Sequence, residues 1–207
     1  GGGVVFTGNG GFSDVSVFDL EAGLAGRPAE LNRVGIETGP FGMALSPDGT
    51  LVAAAARESM AEPSEGRTVS IIDVARAAAG GADAEVARVR VGSDDPAEAT
   101  RPFGVAFTPD GRHLVASCFR SNTISVIDVA EALGGRPSEV LRLRPPDPPG
   151  GQARPRGIVV AGRHACVIGG AKTGPASSLV WLVDLERGQI AATVTRVGNE
   201  SYFLAAF

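Results

Sequence analysis

Residues 101–128 read Arg101-Pro102-Phe103-Gly104-Val105-Ala106-Phe107-Thr108-Pro109-Asp110-Gly111, then Arg112-His113-Leu114-Val115-Ala116-Ser117-Cys118-Phe119-Arg120, then Ser121-Asn122-Thr123-Ile124-Ser125-Val126-Ile127-Asp128. Pro109 presets φ at the second turn position, and Gly111 accepts a positive φ at the fourth. Thr108 to Gly111 is therefore a tight turn between two strands. The run that closes at Asp128 is apolar on both faces at Val126 and Ile127, which predicts a short strand covered from both sides. After Asp128, Ala130-Glu131-Ala132-Leu133-Gly134 reads as one helical turn, with Asp128 as its cap and Glu131 at the capping-box position. A fourth strand follows at Glu139-Val140-Leu141-Arg142-Leu143-Arg144, where alternate residues are charged, as suits a sheet edge that must not pair with another edge.

The same unit recurs along the chain. Asp19, Asp73, Asp128 and Asp184 each close an apolar run, at separations of 54, 55 and 56 residues. Pro40-Phe41-Gly42-Met43-Ala44-Leu45-Ser46-Pro47-Asp48-Gly49 matches residues 102–111 position for position in its pattern, and Pro155-Arg156-Gly157-Ile158 begins a third copy. Four short antiparallel strands per unit, with the third covered on both faces, require neighbouring sheets on both sides. The fold expected is all-β: a β-propeller of four-stranded antiparallel blades, about four of them, in a single domain over 1–207. The units run roughly 1–38, 39–100, 101–153 and 154–200, and 201–207 forms a first strand of a further or composite blade. The chain starts in a second strand and ends in a first, so both a closed four-bladed ring and a piece of a larger propeller fit.

Composition agrees with that architecture and narrows the function. Of 207 residues 43% are hydrophobic, and the 29 glycines and 14 prolines fall between apolar runs as turn punctuation, which excludes disorder and a collagen-like repeat. A net charge of −4 argues against a surface that neutralises phosphates, so nucleic acid is not an expected partner. The apolar runs are far shorter than the roughly 20 residues of a membrane-spanning helix. Cys118 and Cys166 are too few for a disulfide framework and match no metal-ligand spacing, leaving buried thiols or a single bond open.

Residues 101–128 resemble the bacterial YVTN-type propeller repeat, and residues 39–74 resemble it a second time. The resemblance covers nearly the whole chain, although Leu114-Val115-Ala116-Ser117-Cys118 stands where the Tyr-Val-Thr-Asn signature would be. It implies a periplasmic or extracellular protein. Within that family stand lactonase-like enzymes, heavy subunits of amine dehydrogenases, and propellers that only bind.

In such a fold the loops before the first strands and between the second and third strands ring one mouth of the channel. The copies diverge there: Gly39-Pro40-Phe41, Arg101-Pro102-Phe103, Arg154-Pro155-Arg156 and Glu200-Ser201-Tyr202. Arg101, Arg156, Glu200 and Tyr202, with Arg120, Lys172 and Glu58 from the second set of loops, are the candidate ligand-binding residues. Guanidinium forks would favour a carboxylate or phosphate. The plainer alternative has these arginines solvated or paired with Asp94, Asp95 and Glu98. Lys172, the single lysine, lies in a glycine-rich loop that lacks the phosphate-loop spacing. His113 and His164 share one position beside the tight turns at the opposite end, and the four repeat aspartates belong to caps and turns. No nucleophile elbow, zinc-helix motif or dinucleotide fingerprint is present, so neither metal nor cofactor is expected. The expected function is a noncatalytic scaffold that binds a protein or a small ligand at the mouth. The alternative is a lactonase-like hydrolase or a subunit of a periplasmic redox enzyme, with Arg101, Arg156 and Glu200 near the substrate.

Overall fold

A computed structural model describes residues 3–61, 64–171, 178–198 and 201–205. The chain forms successive antiparallel meanders. The first sheet holds β1 (Val4–Asn9), β2 (Asp14–Asp19) and β3 (Glu30–Gly35), with α1 (Leu20–Leu24) after β2. In the second, β4 (Pro40–Leu45) and β5 (Leu51–Ala56) lead through a small hairpin, β6 (Glu58–Ser59) and β7 (Ser64–Glu65). β8 (Thr68–Asp73), α2 (Val74–Ala78) and β9 (Glu85–Arg90) complete that sheet, in the order β4-β5-β8-β9. The third holds β10 (Pro102–Phe107), β11 (His113–Cys118), β12 (Thr123–Asp128), α3 (Val129–Leu133) and β13 (Glu139–Leu143). The fourth holds β14 (Ile158–Ala161), β15 (His164–Gly170), β16 (Ser178–Asp184) and β17 (Gln189–Val194). These are the blades of a β-propeller.

The turns and caps form as the repeat dictates. Gly49 and Gly111 sit at φ +74° and +71°, and their amides close the turns on the Ser46 and Thr108 carbonyls at 2.9 Å. Asp19, Asp73 and Asp128 accept from the amides of Ala22, Arg76 and Glu131 at 2.8–2.9 Å, capping the three helical turns. Asp184 accepts from the Glu186 and Arg187 amides, but a turn rather than a helix follows it. Glu131 departs from the expected capping box, because Arg136 takes both of its carboxylate oxygens. A basic partner five residues on outcompetes the local amide.

Packing between blades explains the wealth of alanine. On β5, Ala53 and Ala55 face the third blade and pack with Val105, Phe107, Leu114 and Ala116, while Val52, Ala54 and Ala56 face the first, with Val15, Val17 and Val34. Both faces of this strand are covered, and small side chains let flat sheets approach closely. Val115 and Ile124 turn the other way, to Ala165, Val167, Trp181 and Val183 of the fourth blade. Each Val or Ile so buried contributes roughly 1.5–3 kcal/mol relative to exposure.

The inner strands meet through glycine. A Cβ at Gly42 would lie 2.2 Å from the Phe103 carbonyl oxygen, one at Gly104 2.6 Å from that of Arg156, and one at Gly157 2.3 Å from that of Tyr202. Ser117 reinforces the second contact: its hydroxyl accepts from the Gly104 amide at 2.9 Å and donates to the Arg156 carbonyl. Residues 201–205 form no regular strand, yet the Gly157 amide donates to the Tyr202 carbonyl at 2.8 Å. This segment therefore lies beside the inner edge of the fourth blade, whereas β1 pairs with β2. Among the described residues nothing staples 201–205 to β1.

Candidate binding site at the mouth of the propeller

Phe119 follows β11 directly, in the loop between the second and third strands of its blade. Its ring is buried, and the guanidinium carbons of Arg154, Arg156 and Arg57 stand 5.6, 5.9 and 6.0 Å from its centre. Guanidinium planes stack on aromatic faces through the ring quadrupole within about 6 Å. Phe103 lies 6.1 Å from Phe119, 4.5 Å from Phe41, and 6.2 and 6.3 Å from Tyr202 and Phe203. Five aromatic rings from four stretches of chain thus meet where the inner strands begin. Phe41, Tyr202 and Phe203 remain 46%, 39% and 73% exposed, a patch of aromatic surface at the axis.

Two arginines of the group are neutralised. Glu58 bridges Arg57 at 2.7 Å and Arg101 at 2.8 Å, and Arg101 also reaches Glu65 at 2.6 Å. Burial pushes the Arg57 guanidinium below its ordinary pKa, and the charge of Arg101 adds to that effect against the opposing pull of Glu58. Arg156 is fully buried and donates to the Ser201 and Gly170 carbonyls at 3.1 and 3.2 Å, with its guanidinium carbon 4.7 Å from the Tyr202 ring centre. It braces residues 201–205 against the fourth blade rather than standing in solvent. Arg154 differs from the others. Its guanidinium makes no ion pair and no side-chain hydrogen bond among the described residues, and its Nε is buried without a partner. The Nε of Arg57 is likewise buried and unpartnered.

Backbone geometry fixes the two arginines that precede the inner strands. Arg101 and Arg154 adopt φ +49° and +43°, a left-handed conformation that L side chains rarely take and that costs on the order of 1–2 kcal/mol per residue. Asn122, itself at φ +55°, accepts from the Arg154 amide at 2.9 Å. The Asn122 side-chain NH2 also donates to the Arg120 carbonyl at 3.4 Å within its own turn, while its oxygen ties the third blade to the start of the fourth.

Of the residues the sequence singled out, Arg101, Arg156, Tyr202 and Glu58 come together here. Arg120 adjoins the group through its backbone, which donates to the Thr100 carbonyl at 2.9 Å, while its side chain is exposed. Lys172 and Glu200 lie outside the described residues. The alternative pairing fails for Arg101, since Asp94 belongs to Arg142 at 2.9 Å and Glu98 bonds Ser93 at 2.6 Å. Sequence reasoning placed Arg154 in the right loop without separating it from the rest, and it missed Arg57 and Phe119 as members of the group. The signal of Phe119 was weak: an aromatic one residue past a strand, with no counterpart in the other copies. Among the described residues no three His, Cys, Asp or Glu side chains gather as a metal site. His113 lies at the opposite end, beside a groove shared with Arg112, Arg163 and Glu186.

No family model and no curated protein matches the sequence. Among solved structures, the chain is similar to Kuenenia stuttgartiensis hydrazine synthase, with a TM-score of 0.67 and 22% identity over 93% of this chain. That likeness covers 46% of the other chain, so this one spans about half its length. At this identity the likeness is one of fold.

Proposed function

We propose that the chain is a noncatalytic, YVTN-like propeller scaffold that binds its ligand through the loops at the mouth formed by Arg57, Arg101, Phe119 and Arg154. The observation that carries this reading is the convergence of cations and partly exposed aromatics at one end of the inner strands. Strained backbone at Arg101 and Arg154 supports it, because strain of that kind gathers where function outweighs stability. Resemblance of the repeats to YVTN-type propellers supports a periplasmic or extracellular location.

The test has two parts. Purified protein is assayed against a panel of lactones with and without divalent metal, and no turnover above the uncatalysed rate is expected. Hydrogen exchange is then compared with and without candidate ligands, and protection is expected in residues 57–58, 101–103, 119–122 and 154–157. Saturable hydrolysis, or protection confined to the Asp48 and Asp110 turns at the far end, would overturn the reading.

A further inference from the structure

Building on the mouth reading, we infer that the corner between Arg154 and Phe119 receives the carboxylate of a small ligand with a flat apolar body, an aryl carboxylate. The Arg154 guanidinium makes no ion pair and no side-chain hydrogen bond among the described residues, and its Nε is buried with no described acceptor. A polar group buried in that state is destabilising, and an incoming carboxylate would offset that cost. Arg57, across the same ring, also holds a buried, unpartnered Nε. The two guanidinium carbons stand 6.0 and 5.6 Å from the centre of that ring, and a planar fork matches a carboxylate in two parallel bonds.

The body of the ligand follows from the surroundings. Beyond Phe119 lies the cluster around Phe103, where Phe41, Tyr202 and Phe203 keep exposed faces. Offset or tilted contact with such rings favours a flat aromatic over an aliphatic chain. The left-handed backbone of Arg154, held by Asn122, fixes the fork in place before a ligand arrives and lowers the ordering cost of binding.

The experiment titrates the whole chain with benzoate, acetate and benzyl alcohol, following ligand signals by saturation-transfer NMR and heats by calorimetry. Benzoate is expected to saturate, with acetate and benzyl alcohol each weaker by about tenfold or more, since each lacks one half of the recognition. Arg154→Gln is expected to weaken benzoate by about tenfold or more, and Arg112→Gln at the far end to leave it unchanged. Trp181 is buried in the fourth blade, and its emission reports whether each variant is folded. Should Arg154→Gln misfold, Arg154→Asn serves, because asparagine tolerates the left-handed conformation. Equal affinity for the three probes, or benzoate binding indifferent to Arg154, overturns the inference. Mouth protection by a glutamate-rich peptide with benzoate silent overturns the ligand class and leaves the mouth reading standing; absence of protection there by any ligand removes both.

Discussion

The guanidinium carbon of Arg154 stands 5.6 Å from the centre of the Phe119 ring while the Arg154 backbone sits at φ +43°. Arg101 occupies the same repeat position at φ +49°, but it is tied by ion pairs to Glu58 and Glu65. Glycine at either site removes the strain, worth about 1 kcal/mol or somewhat more. Arg154→Gly loses only a stacking contact and is expected to raise stability to denaturant by about 1 kcal/mol. Arg101→Gly gives up two partly exposed ion pairs and leaves Glu65 without its fork, so it is expected to be neutral or destabilising. Urea unfolding followed by Trp181 emission separates the two. A loss of stability in Arg154→Gly would make that arginine a structural brace and remove the contrast.

Blade spacing is set by backbone contact at the inner glycines. A Cβ at Gly104 would sit 2.6 Å from the Arg156 carbonyl oxygen, and neither inner strand can retreat without opening the Ser117 clamp. Gly104→Ala is expected to cost about 2 kcal/mol or more. Gly157→Ala meets the Tyr202 carbonyl at 2.3 Å, where the opposing segment is held by few bonds. It is expected to release residues 201–205 at a smaller global cost, seen as faster exchange of the amide at position 157 with little change in the unfolding midpoint. Equal destabilisation by both substitutions would show that 201–205 is as firmly built in as the blades.

The architecture was legible because repetition removes ambiguity. One Pro-Asp-Gly turn or one closing aspartate is a weak signal, but two such turns and four such aspartates in register at nearly constant spacing leave few folds. What the repeat did not reveal is whatever breaks it. Phe119 has no counterpart in the other copies, and Arg154 differs from Arg101 only in which carboxylates the tertiary structure brings near. The β6–β7 hairpin that delivers Glu65 to Arg101 is, among the described residues, an insertion in a single unit, so nothing in the repeat predicts it. Arg156 was read as part of a charged rim, yet it is fully buried, because the carbonyls of Gly170 and Ser201 satisfy it inside the fold. Periodicity reports shared packing; the contacts that differ between units have to be seen.

Both cysteines are free thiols. Burial pushes Cys118 up to about 12, against a hydrogen bond shared with Ser125 at 3.6 Å, and burial also raises Cys166. Since the thiolate is the nucleophile, Cys118 is expected to resist alkylation at pH about 8 until the third blade unfolds, with Cys166 reacting slowly. Intact-mass counting of iodoacetamide adducts is expected to give at most one in native buffer and two in denaturant. Rapid double labelling of the native protein would mean that the interface between the second and third blades opens readily.

Acid should weaken the fold through its turns. Ser46 and Thr108 donate hydroxyl bonds of 2.6 Å to Asp48 and Asp110, and the Thr50 and Arg112 amides add bonds of 3.0 and 3.1 Å. These donors favour the ionised form and hold both carboxyls below the ordinary 3.8. Asp94 is lowered by the fork of Arg142, and Asp184 chiefly by the Arg187 amide. A carboxyl depressed on folding binds its proton more readily in the unfolded chain, so its stabilisation is complete above the unfolded value and is lost as pH falls through the folded one. The melting temperature is therefore expected to be nearly flat between pH about 7 and 5 and to drop below about 4. Salt separates the causes, because screening weakens the Asp94–Arg142 attraction but hardly touches the hydroxyl and amide bonds of Asp48 and Asp110. The acid slope should then survive 0.5 M salt, roughly a fivefold excess over ordinary buffer strength, and flatten in the Asp48→Asn/Asp110→Asn double variant. A slope that disappears with salt in the unaltered protein would assign the acid sensitivity to surface ion pairs instead of the repeated turns.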